Sequence, residues 1–436
     1  MSTDLRPAAI VTPAMSRAPH LMFVVSEDWY FRSHRLALAQ SALQAGFRVS
    51  VATRVGGDAR AITDAGVELI ALGMDRRRLN PLSELGTVAQ LRAVFTRHAP
   101  DVVHAVAMKP IVYSALASLI VPGATRPRLI NSVSGLGSVF ISSTWRGRLL
   151  KPMVRALLGF SLRRPGAIGV IQNRDDAQLL RELGVPAERL ELVAGSGIDL
   201  ERFSPGARPH PALRAADDTT EPAVLLACCV SRMLVDKGIH ELVAAARLLR
   251  EREVPVRVVL VGAPDPHNPT SVADSQLRAW QAQGLVDWVG RLDDIPAVLA
   301  ASDIAVLPSY REGLPQSLLE AAASGLAMVA TDVPGCREVC IDGRTGIAVP
   351  ARDAVALADA LERLVREPAL RERYARAARA LAEERFGTRS IHARFIDLYR
   401  SVSPGMDTGA GVDAGVRPAS RTGVCPDGSR PARGPG

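Results

Sequence analysis

Two glutamates, Glu312 and Glu320, bracket a loop that joins a short apolar run to an amphipathic segment. The run, Ile304–Leu307, is long enough for a buried strand and too short for a helix. Gly313 breaks the pattern, and Pro315 suits the first turn of a helix. Open α/β sheets hold phosphorylated ligands where a strand feeds such a loop and a helix N-terminus. The pattern therefore indicates two carboxylates that accept ligand hydroxyls beside a phosphate-binding turn, with solvated surface glutamates as the alternative.

A second candidate set is the cationic pair Arg232 and Lys237, which directly follows the apolar run Val224–Val230. In an alternating α/β chain this position is a loop at the carboxyl end of a strand. Two cations there can neutralise a diphosphate, and arginine can bind phosphate bidentately. Gly238 and the helix after it add backbone N–H donors. A solvated basic loop is the alternative, but the two glutamates in the same half of the chain favour one shared anion-binding site.

Strands and helices must alternate along the chain to position these residues. Short apolar runs and amphipathic segments alternate in two series, which predicts two doubly wound α/β domains with parallel sheets. We expect the carboxyl ends of both sheets to face a cleft between the domains. The first strand-to-helix turn has no G-x-G-x-x-G, which argues against an ordinary dinucleotide dehydrogenase. The predicted organisation is a flexible arm (1–20), a first domain (21–203), a linker (204–221), a second domain (222–387), a helix that crosses back to the first domain (388–402) and a disordered tail (403–436).

The composition and net charge of the chain indicate which classes of partner the protein can bind. The chain has 436 residues, 47% of them hydrophobic and 4% aromatic, with a formal net charge of +8. The positive charge favours an anionic partner, such as nucleic acid, a phosphorylated small molecule or an anionic membrane surface. Nothing in the sequence resembles a nucleic-acid-binding module or an aromatic stacking platform, so we expect no nucleic-acid partner.

The cysteines and the apolar segments bear on localisation. The five cysteines have no metal-ligand spacing, which fits a reducing compartment. The N-terminal segment lacks the long apolar stretch of a signal peptide. No segment reaches the roughly 20 apolar residues that a membrane span needs. The sequence therefore predicts a cytoplasmic protein. The cysteines are Cys228, Cys229, Cys336, Cys340 and Cys425.

The two candidate pairs belong to longer stretches with a specific pattern. Residues 312–325 are EGLPQSLLEAAASG, and residues 330–338 are ATDVPGCRE. Together with the Arg232/Lys237 loop and Gly290-Arg291, they resemble the retaining nucleotide-sugar glycosyltransferases of family 4, which have the GT-B fold. Segments of the first half narrow the resemblance to a bacterial PglA-like subgroup, which adds a hexose or N-acetylhexosamine to an undecaprenyl-diphosphate-linked sugar. These segments are 31–35, 104–110, 131–137, 172–173 and 195–199, and the resemblance covers about residues 21–402.

The resemblance implies a role for each candidate residue on the donor side. Arg232 and Lys237 would bind the donor diphosphate and stabilise the leaving nucleoside diphosphate. Such a pair can replace a divalent metal, so no metal and no cofactor is expected, and Asp293-Asp294 is interpreted as a helix cap. Glu312 would face the donor sugar and complete the catalytic group. The other donor contacts would come from Glu320 to the ribose hydroxyls, from the backbone N–H groups of Gly313 and Leu314 to the sugar or phosphate, and from Arg291 near the base.

The acceptor is expected to bind the first domain. Many family 4 members have a histidine after the strand predicted over Leu129–Val133, whereas this chain and the subgroup have Ser134. The usual histidine contact to the donor sugar is therefore unassigned. His34 and His104 are candidate acceptor-side groups, with a structural role as the alternative for each. Lys109 is expected near the acceptor or its phosphate.

A basic amphipathic segment extends over Trp145–Arg164. Apolar residues lie on one side of the predicted helix, with arginine and lysine elsewhere, which suits an anionic membrane surface. The alternative is a helix packed on its own sheet with solvated arginines. Because the implied acceptor is lipid-linked, we expect peripheral contact with the inner face of the cytoplasmic membrane. The apolar residues are Leu149, Met153, Leu157 and Phe160.

The sequence therefore predicts a metal-independent, retaining hexosyltransferase. It would move a hexose or N-acetylhexosamine from a UDP-sugar to a lipid-linked sugar acceptor in cell-surface polysaccharide, lipopolysaccharide or glycan biosynthesis. One alternative is a UDP-sugar 2-epimerase of the same fold, which would need further acid/base groups in the cleft. A non-catalytic nucleotide-sugar-binding protein is the other alternative, and the intact Arg/Lys and Glu pairs disfavour it.

Overall fold

Two parallel β-sheets, of seven and six strands, organise the chain. The computed structural model describes residues 17–74, 81–134, 145–206, 210, 213, 224–266 and 268–403. Buried side chains at alternate positions of the strands belong to different hydrophobic clusters, one on each face of the sheet. Helices therefore cover both faces of each sheet. The predicted α/β class with two tandem doubly wound sheets is confirmed. Residues 1–16 and 404–436 and most of 207–223 lie outside the described residues, so most of the predicted arm, tail and linker does too.

The first sheet and its helices occupy the N-terminal half of the chain. Its strands are β1 (His20–Glu27), β2 (Arg48–Arg54), β3 (Glu68–Ala71), β4 (Val102–Val106), β5 (Arg128–Val133), β6 (Ala167–Ile171) and β7 (Leu190–Leu192). Its helices are α1 (Asp28–His34), α2 (Leu36–Gln44), α3 (Ala59–Asp64), α4 (Pro81–His98), α5 (Met108–Leu119), α6 (Trp145–Arg163) and α7 (Arg174–Glu182).

The second sheet begins after the linker. Its strands are β8 (Leu225–Val230), β9 (Val256–Val261), β10 (Asp287–Gly290), β11 (Ile304–Leu307), β12 (Ala327–Thr331) and β13 (Gly346–Val349). The helices of this half are α8 (Ile239–Glu251), α9 (Asp274–Ala282), α10 (Ile295–Ala300), α11 (Gln316–Ala323), α12 (Ala354–Arg366), α13 (Pro368–Arg385) and α14 (Thr388–Val402).

The strand order of each sheet reverses beside its first strand. The first sheet has the order β3-β2-β1-β4-β5-β6-β7, so the reversal lies between β1 and β4. The second has the order β10-β9-β8-β11-β12-β13, so the reversal lies between β8 and β11. Connections leave on opposite faces at such a point and open a crevice outside the carboxyl ends of the strands, where open α/β sheets bind ligands. The fold therefore offers one crevice in each half.

The first domain departs from the sequence prediction at two helices. The sequence predicts a loop over Ser26–Arg32 and then a helix over Ser33–Ala45, whereas α1 occupies most of that loop and α2 begins only at Leu36. Arg35 separates the two helices with φ −133°; it is 2% exposed, and its Nη1 donates to Ser196 Oγ at 2.7 Å. Helix α5 was not predicted. Most of its residues are buried, so it has no polar face to give a helical period in the sequence. His20, assigned to the arm, begins β1 and is fully buried.

The segments around Ile198 and Gly387 run side by side and connect the two halves of the chain. Ile198 N donates to Phe386 O at 2.8 Å, and Thr388 N donates to Ile198 O at 3.0 Å. Helix α14 follows directly, and its side chains Ile391, Phe395 and Tyr399 belong to the same buried cluster as β1 of the first sheet. The C-terminal helix is therefore part of the core of the first domain.

Candidate active site

The carboxyl ends of β8 and β11 bring the two candidate pairs to one crevice. The segment after β8 carries Arg232 and Lys237, and the segment after β11 carries Glu312. Gly238 has φ +70°, and a Cβ there would lie 2.1 Å from the carbonyl oxygen of Pro308. Glycine is therefore required for the two loops to approach each other this closely. The reversal of strand order between β8 and β11 explains why the two loops lie together, and Gly238 makes their close approach sterically possible.

Lys237 and Glu312 form a direct ion pair. The Lys237 ammonium donates to Glu312 Oε1, and Ser309 Oγ donates to the same oxygen at 2.7 Å. The side chains of Lys237 and Glu312 are 21% and 13% exposed, so solvent screens the pair only partly. Two residues predicted from separate motifs, 75 positions apart in the chain, are thus in contact. A cation and a carboxylate at a single point can bind the phosphate and the sugar of one ligand.

The backbone around Glu312 is tightly held. Glu312 N donates to the carbonyl oxygen of Pro334 at 3.3 Å. Gly335 has φ +81°, and a Cβ there would lie 2.6 Å from the carbonyl oxygen of Gly313. The segment 330–338 therefore packs on the Glu312 loop through backbone atoms. This contact gives the glycine of that motif a physical reason, since any side chain would displace the loop.

The two arginines predicted on the donor side are exposed and follow strands of the second sheet, Arg232 after β8 and Arg291 after β10. The Arg232 side chain is 57% exposed and donates to Asp265 Oδ2 at 3.0 Å. The Arg291 side chain is 79% exposed and lies 3.3 Å from Asp293 Oδ1. Exposed pairs of this kind contribute little to stability and can exchange partners. Both arginines are therefore available to an incoming anion at little energetic cost.

Glu320 lies inside α11, whereas Glu312 and Leu314 lie on the loop that precedes this helix. Burial raises the pKa of the Glu320 carboxyl to about 7, although Gln316 and the cation of Arg202 act in the opposite direction. A carboxyl with such a pKa changes charge in the physiological range, which is common at binding and catalytic sites. The ionised form accepts hydrogen bonds from ligand hydroxyls.

The loop between β11 and α11 (308–315), called the donor loop below, also contacts the first domain, and the sequence did not indicate this contact. Asn173 Nδ2 donates to the carbonyl oxygen of Gly313 at 2.7 Å, and Arg311 donates to Asp176 Oδ1 at 2.9 Å. Asn173 and Asp176 are 0% and 1% exposed. In the sequence, residues 172–173 are part of the family resemblance, and an asparagine before a helix is typical of an N-cap, which indicates a local contact and not a partner 140 residues away.

His104 is not a cleft residue, and its candidate role on the acceptor side is corrected. It is fully buried in β4, where its Nδ1 is 2.7 Å from Tyr399 Oη and its Nε2 is 2.6 Å from Ser132 Oγ. Its ring stacks on Phe395. Burial lowers the pKa of the imidazole well below its usual value, so the ring is neutral. His104 links β4 to α14, which is the structural role named as the alternative.

The other acceptor-side candidates follow strands at one edge of the first sheet. His34 is an exposed residue at the end of α1, 4.4 Å from the Tyr30 ring between centroids. Lys109 lies in the first turn of α5 and donates to Glu84 Oε1 at 3.0 Å. Ser134 directly follows β5 and is half-buried. Lys109 and Ser134 follow the carboxyl ends of β4 and β5, which are neighbours in the sheet, so they share the edge where the acceptor is expected, whereas His34 lies at the far end of α1, seven residues beyond β1.

The acidic residues beside Arg291 include a helix cap. Asp294 Oδ1 accepts from Ala297 N at 3.2 Å at the start of α10, which confirms its predicted role as a cap. Among the described residues, the structure contains no group of three or more His, Cys, Asp or Glu side chains placed to hold a metal ion.

Two family descriptions match the chain, one in each half. Residues 225–367 match "Glycosyl transferases group 1", and residues 20–163 match "Glycosyl transferase 4-like". The chain is 28% identical over 345 residues to the N,N'-diacetylbacillosaminyl-diphospho-undecaprenol alpha-1,3-N-acetylgalactosaminyltransferase of Campylobacter jejuni, covering 78% of this chain and 88% of that protein. It is 31% identical over 301 residues to the D-inositol 3-phosphate glycosyltransferase of Arthrobacter, covering 62% of this chain and 68% of that protein.

Solved structures of GT-B enzymes have the same fold. Sucrose-phosphate synthase from Thermosynechococcus elongatus superposes with a TM-score of 0.71 at 19% identity, covering 88% of this chain and 99% of that chain. Anabaena HepE in complex with UDP and glucose superposes with a TM-score of 0.68 at 19% identity, covering 87% of this chain and 99% of that chain. These likenesses confirm the predicted GT-B architecture.

Proposed function

The chain belongs to the group 1 glycosyl transferases and is a hexosyltransferase, and from this premise we propose its substrates and mechanism. The donor is a UDP-sugar that carries a hexose or N-acetylhexosamine. The acceptor is a sugar linked to undecaprenyl diphosphate, and the product enters cell-surface polysaccharide, lipopolysaccharide or glycan biosynthesis. Transfer retains the anomeric configuration and needs no metal ion.

The Lys237–Glu312 pair is the observation that carries this proposal. A nucleotide sugar has an anionic diphosphate next to a neutral, hydroxyl-rich ring, and the crevice presents a cation next to a carboxylate. Lys237 then contacts the diphosphate, while Glu312 accepts from a sugar hydroxyl. Arg232 leaves Asp265 and adds a second cation as negative charge develops on the leaving UDP. Glu320 accepts from the ribose, and Arg291 lies near the base.

The nature of the donor and acceptor is supported by the relatives. HepE, which shares the fold, is crystallised with UDP-glucose. The Campylobacter relative is named for an undecaprenol-linked diphosphate acceptor, and its similarity spans 345 residues of this chain. The similarity to this relative, which supports a lipid-linked acceptor, therefore includes both halves of the chain. His34, Lys109 and Ser134 are the first-domain residues that we place on the acceptor side.

Acceptor-dependent transfer is the direct test. The full chain is incubated with radiolabelled UDP-sugars, with and without an undecaprenyl-diphosphate-linked sugar, in buffer that contains either Mg²⁺ or excess EDTA. We expect label in the lipid fraction when acceptor is present, at equal rates with Mg²⁺ and EDTA. The cationic pair supplies the charge that a metal would otherwise supply. Glycosidic linkage analysis of the product reports the anomeric configuration.

Each part of the proposal has an outcome that contradicts it. Isomerised UDP-sugar without acceptor would instead establish a 2-epimerase. UDP-sugar binding without any turnover would indicate a binding protein. Loss of activity in EDTA with recovery on Mg²⁺ would remove the metal-independent mechanism while leaving the transferase intact.

We further propose that α6 contacts an anionic membrane from the inner face. Leu158 and Leu162 of α6 are buried, and Leu157, predicted on the membrane-facing side, packs against the core of the first domain. Met153 and Phe160 are 52% and 38% exposed. Met153 and Phe160 are seven positions apart and share one side of the helix, and Arg163 is exposed nearby. No helix in the described ranges combines the length and apolar content of a membrane span. An exposed apolar stripe with a basic residue beside it fits the headgroup region of an anionic bilayer.

Vesicle flotation tests this contact. We expect the protein to float with vesicles rich in phosphatidylglycerol, and much less with phosphatidylcholine vesicles or at high salt. The double substitution Met153→Asp/Phe160→Asp should abolish flotation without loss of fold, because both side chains are exposed. Equal flotation of this variant and the wild type would place the membrane contact elsewhere or remove it.

A further inference from the structure

The N-terminal end of α7 holds the donor loop, and we propose that Asn173 is a positioning residue that completes the donor-sugar site from the first domain. The contact joins the capping residue of a first-domain helix to Gly313, which adjoins Glu312 in the second-domain site. The inference rests on the proposed function, since it concerns the loop that would contact the donor sugar.

The geometry of the Asn173 amide is fixed by its own helix. Asn173 Oδ1 accepts from Asp176 N at 2.7 Å, which is the N-cap bond of α7. The amide nitrogen must then point away from that bond, and it donates to Gly313 O at 2.7 Å and to Asp176 Oδ2 at 2.9 Å. The side chain is fully buried, so water does not compete for these bonds. The N-cap bond thus orients the Asn173 amide so that its nitrogen donates to the donor loop.

The bond to Gly313 orients one peptide plane of the donor loop. The carbonyl of Gly313 and the N–H of Leu314 belong to the same planar peptide group and point in opposite directions. Fixing the Gly313 carbonyl against Asn173 therefore fixes the direction of the Leu314 N–H, one of the donor contacts in the proposed function. From the other side, Gly335 lies so close that a Cβ there would be 2.6 Å from the same carbonyl oxygen. The peptide is thus held from both domains.

The ion pair between Arg311 and Asp176 lies beside the Asn173–Gly313 bond and also joins the two domains. Arg311 Nη2 donates to Asp176 Oδ1 at 2.9 Å, and the two side chains are 22% and 1% exposed. Burial raises the pKa of the Asp176 carboxyl, whereas the bond from Asn173 and the cation of Arg311 lower it. Asn173 and Arg311 therefore both favour the ionised form of the carboxyl, against the effect of burial. Asn173 and Arg311 act on the same carboxylate, so residues on both sides of the interface are coupled through Asp176.

The neighbouring residues of α7 extend the contact to the segment that packs on Glu312. Arg337 Nη1 donates to Asp175 Oδ1 at 3.1 Å, and Arg174 N donates to Glu338 Oε1 at 3.2 Å. The first turn of α7 thus touches both second-domain segments that frame the donor sugar. Opening the domains must break these bonds together. The sugar-facing peptide is therefore in place only when the first domain, with its acceptor, has closed, which limits hydrolysis of the donor.

The test compares two helix caps. Asn173→Ser keeps a good N-cap residue but has no amide to donate to Gly313. The control, Asp353→Ala, removes the cap of α12, where Asp353 Oδ1 accepts from Ala356 N at 2.9 Å within the second domain. For Asn173→Ser we expect kcat to fall about tenfold with UDP affinity within threefold of wild type. Amide hydrogen exchange at Gly313 and Leu314, measured with UDP bound, should accelerate about tenfold. Asp353→Ala should change melting temperature but neither of these quantities.

The outcomes separate this inference from the proposed function. Unchanged exchange at 313–314 in Asn173→Ser overturns the positioning role, as does a fall in kcat that is matched by an equal loss of UDP affinity. Faster exchange with unchanged kcat also overturns it. If the wild type turns over no UDP-sugar at all, the proposed function fails by itself, and the exchange comparison still decides whether Asn173 holds the loop.

Discussion

Replacing Lys237 with alanine is expected to lower kcat by about a hundred- to a thousandfold, with a much smaller change in the affinity for the UDP-sugar. The Lys237 ammonium is the cation that the structure places against Glu312 in a partly buried crevice. Its interaction with the diphosphate strengthens as the glycosidic bond breaks and negative charge collects on UDP, so its loss is felt mainly in the transition state. Steady-state kinetics with saturating acceptor, together with UDP-sugar titration, measure the two effects separately.

A double-mutant cycle with Glu312→Gln sharpens this prediction. Because Lys237 and Glu312 are in contact, we expect the double variant to lose less than the sum of the two single losses. The matched control is Arg252→Ala, which breaks the surface pairs with Asp359 and Glu362 on the far side of the second domain. That control should leave both kinetic constants unchanged. Wild-type turnover in Lys237→Ala, or strictly additive losses in the cycle, would contradict the assignment of this pair.

Glu320→Gln is expected to weaken UDP-sugar binding about ten- to a hundredfold at pH 8, since the ionised carboxyl makes charge-assisted hydrogen bonds to the ribose hydroxyls. Because the pKa of Glu320 is raised to about 7, the ionised fraction grows about tenfold between pH 6 and pH 8. Wild-type affinity should therefore rise about tenfold over that interval, and the variant should show no such rise. Calorimetric titration with an intact UDP-sugar avoids the ionisation of a terminal phosphate near pH 6.

Glu320→Gln should weaken UDP-sugar binding but increase the stability of the fold at pH 8. A carboxyl whose pKa rises from 4.5 to about 7 on folding stabilises the fold below pH 4.5, and this contribution is lost as pH rises through 7. Glu320→Gln removes that loss, so the variant should be more stable than wild type at pH 8, by about 1 to 3 kcal/mol, and little different at pH 4.5. Urea unfolding at the two pH values measures this difference. Glu372→Gln, an exposed substitution on α13, is the control and should change neither binding nor stability. Equal stability and equal affinity at pH 8 would exclude Glu320 from the site.

The architecture could be predicted from the sequence, and so could the candidates for the donor side. Strands such as Ile304–Leu307 are short apolar runs, and the segments between them carry a helical period, so the alternation of strands and helices could be read locally. A parallel doubly wound sheet places every strand-to-helix loop of one half at one edge. For this reason, motifs as far apart in the sequence as Lys237 and Glu312 could be assigned to a common site before the structure was known.

Which polar residues face the cleft and which belong to the core could not be predicted from the sequence, because this depends on long-range contacts. His104 was a candidate for the cleft, but its partner Tyr399 lies 295 positions later and buries it under α14. Arg35 interrupts a predicted helix to reach Ser196. Asn173 caps its own helix, yet its amide also donates to Gly313 O in the other domain. Local periodicity depends on neighbours within a few positions, whereas the burial and hydrogen bonding of these side chains depend on segments that only folding brings together.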